Sequence, residues 1–472
     1  MTLTDATGPA TEPDTTPSVP EPVEPAPGGG TRHFGVWLAG ICGVGLLVRF
    51  LNIFWWRSIS NGNQALFDAQ LGAHDAKVGG DAFYYHFQAN ALAKGAWFVE
   101  PFGWAVLHGR ETPSAAHPPL PVIYLAAWSR LGLDSVNWHR VALSVLGIGT
   151  VAVVGLLGRR IGGNAVGLVA AGLAAVYPQL WINDGMLLSE TTAIFMVAVT
   201  LFVAYAFIRQ PSVKLAALLG FTVALCAYSR TELGLLFVAL VLPLALLARD
   251  RSPRQRVTLL VVTWAVGALV LAPWIVFNLT RFNEPTFMTS GTGSALSAGN
   301  CDQTYYGKDI GYYAACFQGP WVHGDESERD VEPRRQAADY MKDHATRLPL
   351  VVAARVGRLW GVFKPGQTTA FDWWLEGRGR TTSWVGLFAY YVVLAFAIGG
   401  LVVMWRRRVS IIPLLAVVVV ATISAAITFG VTRYRAPAEV ALVVAAAFGI
   451  VAVSGRVRSR SRSSRSAVRT GR

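Results

Sequence analysis

The stretch VGGDAFYYHFQANALAKG, residues 78–95, opens with two glycines and a carboxylate and runs on through aromatic and small apolar positions. Counted from Asp81 at helical spacing, Tyr84, Tyr85 and Gln88 share one face and Phe83, Phe87 and Ala91 the next, which describes an amphipathic helix lying on a membrane surface. Gly79 and Gly80 release the chain from whatever precedes it. Asp81 then has two roles open to it. Its carboxylate can accept a bond from a first-turn amide as an N-cap, or it can take the proton of an acceptor hydroxyl as a general base. Asn caps a helix about as well as Asp and cannot act as a base, so Asp81→Asn separates the two.

Around this stretch the composition is that of a polytopic membrane protein. Of 472 residues, 53% are hydrophobic and only 15% charged, far from a soluble enzyme with a polar surface. The net charge of +13 does not point to nucleic acid: the tail GRVRSRSRSSRSAVRTGR holds seven Arg and no acid, which leaves +6 for everything else. Basic tails of this kind mark the cytoplasmic side of a membrane. Residues 1–32 are Pro-rich and acidic with nothing to form a core, and read as a disordered cytoplasmic tail. The first apolar run, 34–55, is long enough to span and stay, an anchor and not a cleaved signal.

Further apolar runs lie at 141–157, 165–181, 191–208, 215–228, 233–247, 257–277, 385–404, 409–429 and 440–453, giving about ten spans. The run PLPVIYLAAWSRLG at 119–132 is short and begins with prolines. Charge bias decides how to treat it. If it does not span, Arg159 and Arg160, Arg209 and Lys214, RDRSPRQR at 249–256, RRR at 406–408 and the Arg tail all fall on the cytoplasmic side. If it does span, the sidedness of most of these clusters inverts, so ten spans are preferred to eleven. The domain at 33–455 then has two large external loops, 56–138 and 278–381, and both termini are cytoplasmic.

The external connections collect the residues that carry chemistry. His117, in ETPSAAHPPLPVIYLAAW, precedes two prolines suited to starting a helix, and is placed to bond a phosphate or a sugar hydroxyl. Glu190, in NDGMLLSETTAIF, stands at a span entrance where Ser189 suits a cap and Glu suits the helix dipole; Asp184 lies in the same connection. Arg230 and Glu232, in YSRTEL, fit a hairpin ion pair. Arg433 and Arg435, in TRYRAP, put positive charge on the side where it is disfavoured, which an anionic ligand explains. LPLVVAARVGRLWGVFKP at 348–365 reads as a second interfacial helix whose Arg355 and Arg358 meet lipid headgroups. Cys301 and Cys316 share one polar loop; if it faces an oxidising compartment they can bridge, worth on the order of 3 kcal/mol. No metal-spaced His/Cys cluster, phosphate loop or GxSxG elbow is present, so no cofactor is expected, with a divalent metal left open.

Taken in order, the carboxylate opening a loop helix, HPPL, the RR after the next span, SE, SRTE and a late RYRAP resemble the GT-C class of polyprenyl-phosphate-sugar-dependent glycosyltransferases. The likeness is to bacterial relatives of protein O-mannosyltransferases and aminoarabinose transferases, and it covers about residues 34–454. It implies an all-α, GT-C-like bundle of about ten transmembrane helices with external interfacial helices in the first and the long late loop. It also implies a plasma-membrane enzyme that moves one sugar, with inversion, from a polyprenyl-phosphate donor to an acceptor hydroxyl outside the cytoplasm. In that likeness Asp81 is the base, Arg433 and Arg435 are donor-phosphate ligands, and Arg230, His117, Tyr84 and Tyr85 line the donor or sugar site. Glu190, Glu232 and Asp184 are secondary acidic candidates. Two departures from the pattern, Ala82 after Asp81 and His117 where the aminoarabinose enzymes carry Lys, leave the acceptor open among glycan, lipid and protein. The competing class is a membrane transporter or lipid-linked-sugar flippase, which places ionisable groups within the spans and not at one mouth.

Overall fold

A computed structural model of the chain describes residues 31–56, 80–107, 109–248, 250–317 and 324–469. The expectations for the tail at 1–30, for Val78 and Gly79, and for 470–472 lie outside these residues, as do the side chains of 456–469. Hydrocarbon forces a spanning backbone to satisfy its own N–H and C=O groups, and a helix does so within one segment. The apolar runs accordingly form helices: α1 (Thr31–Leu51), α2 (Asp81–Ala93), α3 (Pro119–Arg130), α4 (Val136–Val176), α5 (Glu190–Arg209), α6 (Val213–Ser229) and α7 (Thr231–Leu246). The chain continues as α8 (Pro253–Leu279), the polar α9 (Glu326–Asp343), α10 (Leu348–Leu359), α11 (Pro365–Trp374), α12 (Arg380–Arg406), α13 (Ile412–Ile427) and α14 (Ala436–Arg469).

Among the described residues six helical segments are long and apolar enough to cross a membrane, and α6, α7 and α13 are shorter apolar helices. The 41-residue α4 is two helices joined at Gly163, whose φ of 82° is a left-handed conformation that costs glycine little. The two halves fold back on each other, so closely that a Cβ on Gly158 would lie 3.1 Å from Gly167 Cα. The six long segments fall short of the ten spans that hydropathy suggests; with the halves of α4 counted apart and the three shorter helices included, the described residues hold ten apolar segments. Pro119–Arg130 is the separate 12-residue α3, packed along α2.

Small residues set the closest crossings. A side chain at Gly400 of α12 would collide with the Ala445 carbonyl of α14, and one at Gly449 with the Phe396 carbonyl, the close backbone approach that membrane helices use in place of a hydrophobic driving force. Val197, Leu201 and Ala204 of α5 and Val440, Val443 and Ala447 of α14 fill the interior. Trp37 and Phe50 of α1, Leu269 of α8 and Phe388 of α12 stay exposed on the periphery, where lipid would cover them.

Both loop helices differ from surface helices. Most of α2 is enclosed, with Phe83, Tyr84, Tyr85, His86, Gln88, Ala89 and Ala91 buried. Gln88 Nε2 donates to the Val99 carbonyl at 3.1 Å. Apolar and aromatic groups on two faces let the chain cover it from two sides. In α10, Arg355 and Arg358 do not reach headgroups and are fully buried. Arg355 donates to the carbonyls of Ala426 and Ile427 at 3.1 and 3.2 Å, where α13 ends and its last carbonyls have no intrahelical partner. Arg358 Nε donates to Ile310 O at 2.6 Å. These arginines hold the long loop onto the bundle. Cys301 and Cys316 are joined by a disulfide within that loop.

Candidate active site

Asp81 is the first residue of α2, yet it does not cap the helix. Gly80 is the N-cap and makes no side-chain cap bond. The Asp81 carboxylate turns away from the first-turn amides and accepts from Arg433 Nη2 at 2.6 Å. Glu190 repeats the pattern at the start of α5. Ser189 makes no cap bond, and Glu190 Oε1 accepts from Arg230 Nη1 at 2.6 Å and Arg433 Nε at 2.8 Å. The N-terminal turn of each helix favours the negative charge without fixing where it points; the guanidiniums fix that.

Arg433 is the centre of the arrangement. Its third nitrogen, Nη1, donates to Glu376 Oε2 at 3.1 Å, so one guanidinium holds three carboxylates. Arg230 Nε donates to Glu232 Oε1 at 2.6 Å, and its guanidinium lies 4.8 Å from the Tyr434 ring centroid. Tyr313 donates its hydroxyl proton to Glu376 at 3.1 Å. His117 Nε2 lies 3.6 Å from Asp81 Oδ1, with its ring against those of Tyr84 and Tyr85 at 4.6 and 5.0 Å. Asp81, Glu190, Arg230, Glu232, His117, Tyr84, Tyr85 and Arg433 are thus brought together from five separate stretches of chain.

Exposure orders the cluster. The Glu190 side chain is wholly buried and that of Arg433 is 16% exposed, while those of Asp81 and His117 are 33% and 28% exposed. A molecule arriving at this end of the bundle meets Asp81 and His117 first. Burial pushes the Asp81 carboxyl up, but the charges of Arg433, His117 and Arg230 and the bond from Arg433 outweigh it and hold the group well below the usual carboxylate range. Burial pulls His117 below its ordinary value, with Asp81 opposing and Arg433 reinforcing that shift. Arg433 Nη2, 2.6 Å from Asp81 Oδ2, is the closer cationic partner.

The structure separates two candidates from this group. Arg435 is fully buried, donating to Glu439 Oε1 at 2.6 Å and to Leu359 O at 2.8 Å, with the Tyr390 ring centroid 3.5 Å away. Glu439 also accepts from Tyr177 at 2.9 Å. Asp184 pairs with Arg49 of α1 and accepts from Thr191 at 2.9 Å. A side chain at Gly147 would collide with Asp184, so that glycine makes room for the pair.

Three contributors were not singled out from the sequence: Glu376 and Arg378, in EGRGR between α11 and α12, and Glu326, at the start of α9. Glu326 accepts from Ser114 Oγ at 3.2 Å and from the Ala115 amide at 2.6 Å, which ties the long loop to the segment carrying His117. Tyr84 Oη lies 3.2 Å from the same Ser114 hydroxyl. A signal for the first two existed: an acid and two bases interleaved with glycines just before an apolar run. Among the described residues no group of three or more His, Cys, Asp or Glu is arranged to hold a metal ion.

Among solved structures the chain resembles the oligosaccharyltransferase of Archaeoglobus fulgidus. With its apo crystal structure the TM-score is 0.51 at 14% identity, over 93% of this chain and 52% of that one. With the form tethered by a disulfide bond to an acceptor peptide containing the NVT sequon, the TM-score is 0.51 at 17% identity, over 91% of this chain and 50% of that one. The chain therefore spans about half the length of the structures it matches. No family model and no curated protein matches it. The helical bundle, the loop helices gathered at one end and this structural likeness assign the chain to the GT-C fold class of membrane proteins.

Proposed function

We propose that this protein is a membrane glycosyltransferase that moves a single sugar from a polyprenyl-phosphate donor to an acceptor hydroxyl on the extracytoplasmic face, with Asp81 as general base. The loops at 56–138 and 278–381 face outward in this reading, and both termini are cytoplasmic. The observation that carries it is the meeting of Asp81 with Arg433, 352 residues later, at the exposed edge of a cluster rich in guanidiniums. The fold likeness supports the class of reaction, and the acceptor peptide tethered to one neighbour makes a protein one of the acceptors to test.

Asp81 takes the acceptor's hydroxyl proton as that oxygen forms a bond to the anomeric carbon. The bond from that carbon to the phosphate oxygen breaks, and its electron pair leaves with the lipid phosphate, inverting the configuration. The carbon gains oxocarbenium character while charge collects on the phosphate, and fixed guanidiniums stabilise that charge without reorganising. Without ligand, Arg433 holds Asp81 deprotonated and too weakly basic for the task. A phosphate placed beside the guanidiniums adds negative charge, which draws the carboxyl back up toward a working base. Donor binding and base strength are coupled in this way.

The test is transfer from labelled polyprenyl-phosphate sugars in membranes holding wild type or Asp81→Asn. Because Asp81 caps nothing, the variant is expected to fold normally and to lose roughly 10²- to 10⁴-fold in rate. Equal transfer by both would remove Asp81 from the base role. Absence of transfer from every lipid-phosphate sugar would remove the donor class.

One observation favours the flippase reading. The pairs Arg49–Asp184 and Arg435–Glu439 place charges within the apolar helices or packed against them, as transport pathways do. Flux of a lipid-linked sugar across proteoliposomes, without transfer, would support it.

A further inference from the structure

We propose that Arg378 is the direct ligand of the donor's phosphate, in place of the Arg433 and Arg435 that the sequence pattern suggests. The inference rests on the lipid-phosphate donor reading above.

Hydrogen-bonding capacity distinguishes the arginines at this end of the bundle. Arg433 commits Nε, Nη1 and Nη2 to three carboxylates. Arg230 commits two nitrogens to Glu190 and Glu232, and Arg435 two to Glu439 and Leu359. Arg378 is only 6% exposed, and its one side-chain bond is a long one, from Nη1 to Thr432 Oγ1 at 3.4 Å. Its Nε and Nη2 are buried and bond to no described residue. A buried guanidinium left so far from satisfied is costly unless an anion completes it, and its planar fork matches two oxygens of a phosphate.

The backbone holds this side chain in place. Arg378 sits between Gly377 and Gly379, whose φ values of 65° and 81° favour glycine, and its amide donates to Asp372 O at 3.1 Å at the end of α11. Thr432, which Arg378 touches, directly precedes Arg433 and donates to Asp372 Oδ1 at 2.6 Å. The neighbouring acid Glu376 bonds Arg433. One turn thus joins Arg378 to the cluster on both sides.

A second unspent group lies in the same cluster. Glu190 Oε2 is buried and accepts no bond from any described residue, while Oε1 takes two guanidiniums. An unspent guanidinium edge and an unspent carboxylate oxygen match a ligand that has both anionic oxygens and hydroxyls, which a glycosyl phosphate does.

A bilayer lipid headgroup offers the same phosphate chemistry, so the test separates the two sources. The full chain in a maltoside micelle is titrated with a polyprenyl phosphate, the matching neutral polyprenol and phosphatidylglycerol, for wild type, Arg378→Gln and Arg378→Lys. Wild type is expected to bind the polyprenyl phosphate well over the polyprenol. Arg378→Gln should lose roughly 10- to 100-fold of the phosphate affinity and keep that for polyprenol. Arg378→Lys, which retains charge without the fork, should lose about fivefold, and it decides the matter should the Gln variant fail to fold. Wild-type phosphate affinity in the variants overturns the Arg378 assignment and leaves the donor reading standing. Equal competition by phosphatidylglycerol also overturns it, in favour of a headgroup site. A wild type that does not distinguish polyprenyl phosphate from polyprenol overturns the donor reading itself.

Discussion

Arg433 and Arg435 stand two residues apart in one short motif and do opposite things. Arg433 faces the end of the bundle and holds Asp81, Glu190 and Glu376. Arg435 faces the interior, held by Glu439 one helical turn on, the Leu359 carbonyl and the face of Tyr390. The reason is local: residues 432–435 form a 3₁₀ turn, in which positions two apart point about 240° around the axis. One residue of helix type separates a site residue from a packing residue. Two arginines of one motif therefore take different partners, and each guanidinium must be judged by what it already holds.

The largest expected effect is at Arg433. Arg433→Gln leaves three carboxylates facing one another and removes the charge that positions Asp81. Transfer should fall roughly 10²- to 10³-fold in kcat, and stability by about 3–5 kcal/mol as buried acids lose their partner. Glu376→Gln made in the same background removes one of those acids. It should recover part of the melting temperature and none of the rate. Recovery of the rate would make Arg433 structural and erase the contrast with Arg435.

At Arg435 the expectation is inverted. Arg435→Met strands Glu439 inside the bundle and should lower stability by about 3–5 kcal/mol, while the folded fraction keeps its kcat within about threefold. Adding Glu439→Gln removes the stranded charge and should restore most of the melting temperature. A folded double variant with kcat down a hundredfold would return Arg435 to the site.

The spans were legible because hydropathy and basic loop charges are properties of local sequence, and the turn at Gly163 falls in the basic connection that charge bias expects. Asp81, Glu190 and Arg230 were legible because polar groups stand out at the ends of apolar helices. What their position hid was the partner: Asp81 could have capped its own helix and Ser189 the helix that Glu190 opens, and only the structure shows that neither does. Glu376 and Arg378 lie in a polar loop where charges are common and no periodicity marks a face. The partners of Arg435 and Asp184 were hidden for a related reason. Those partners, Glu439 in PAEVAL and Arg49 in LLVRFL, are single charges inside apolar runs, and such a charge is itself the sign that a buried partner exists.

The smallest effect sharpens the comparison at its edge, where Asp372 joins Arg378 to Thr432. Burial pushes the Asp372 carboxyl up, Arg378 and Thr432 pull it down, and the net result is a pKa of about 6. A carboxyl raised above its ordinary value of about 3.9 binds its proton more tightly folded than unfolded. Its contribution to stability is therefore complete below that ordinary value and is lost as pH rises through about 6. Asp81, held low by Arg433, acts in the opposite sense: its contribution is present above the ordinary value and fades only in stronger acid. The raw pH profile mixes the two, so the measurement is a difference. Wild type should lose stability relative to Asp372→Asn between about pH 4 and pH 6, by at most about 3 kcal/mol. Parallel melting profiles for the two proteins would mean that folding leaves the Asp372 carboxyl at its ordinary value, so that the bond from Thr432 and the charge of Arg378 fully offset its burial.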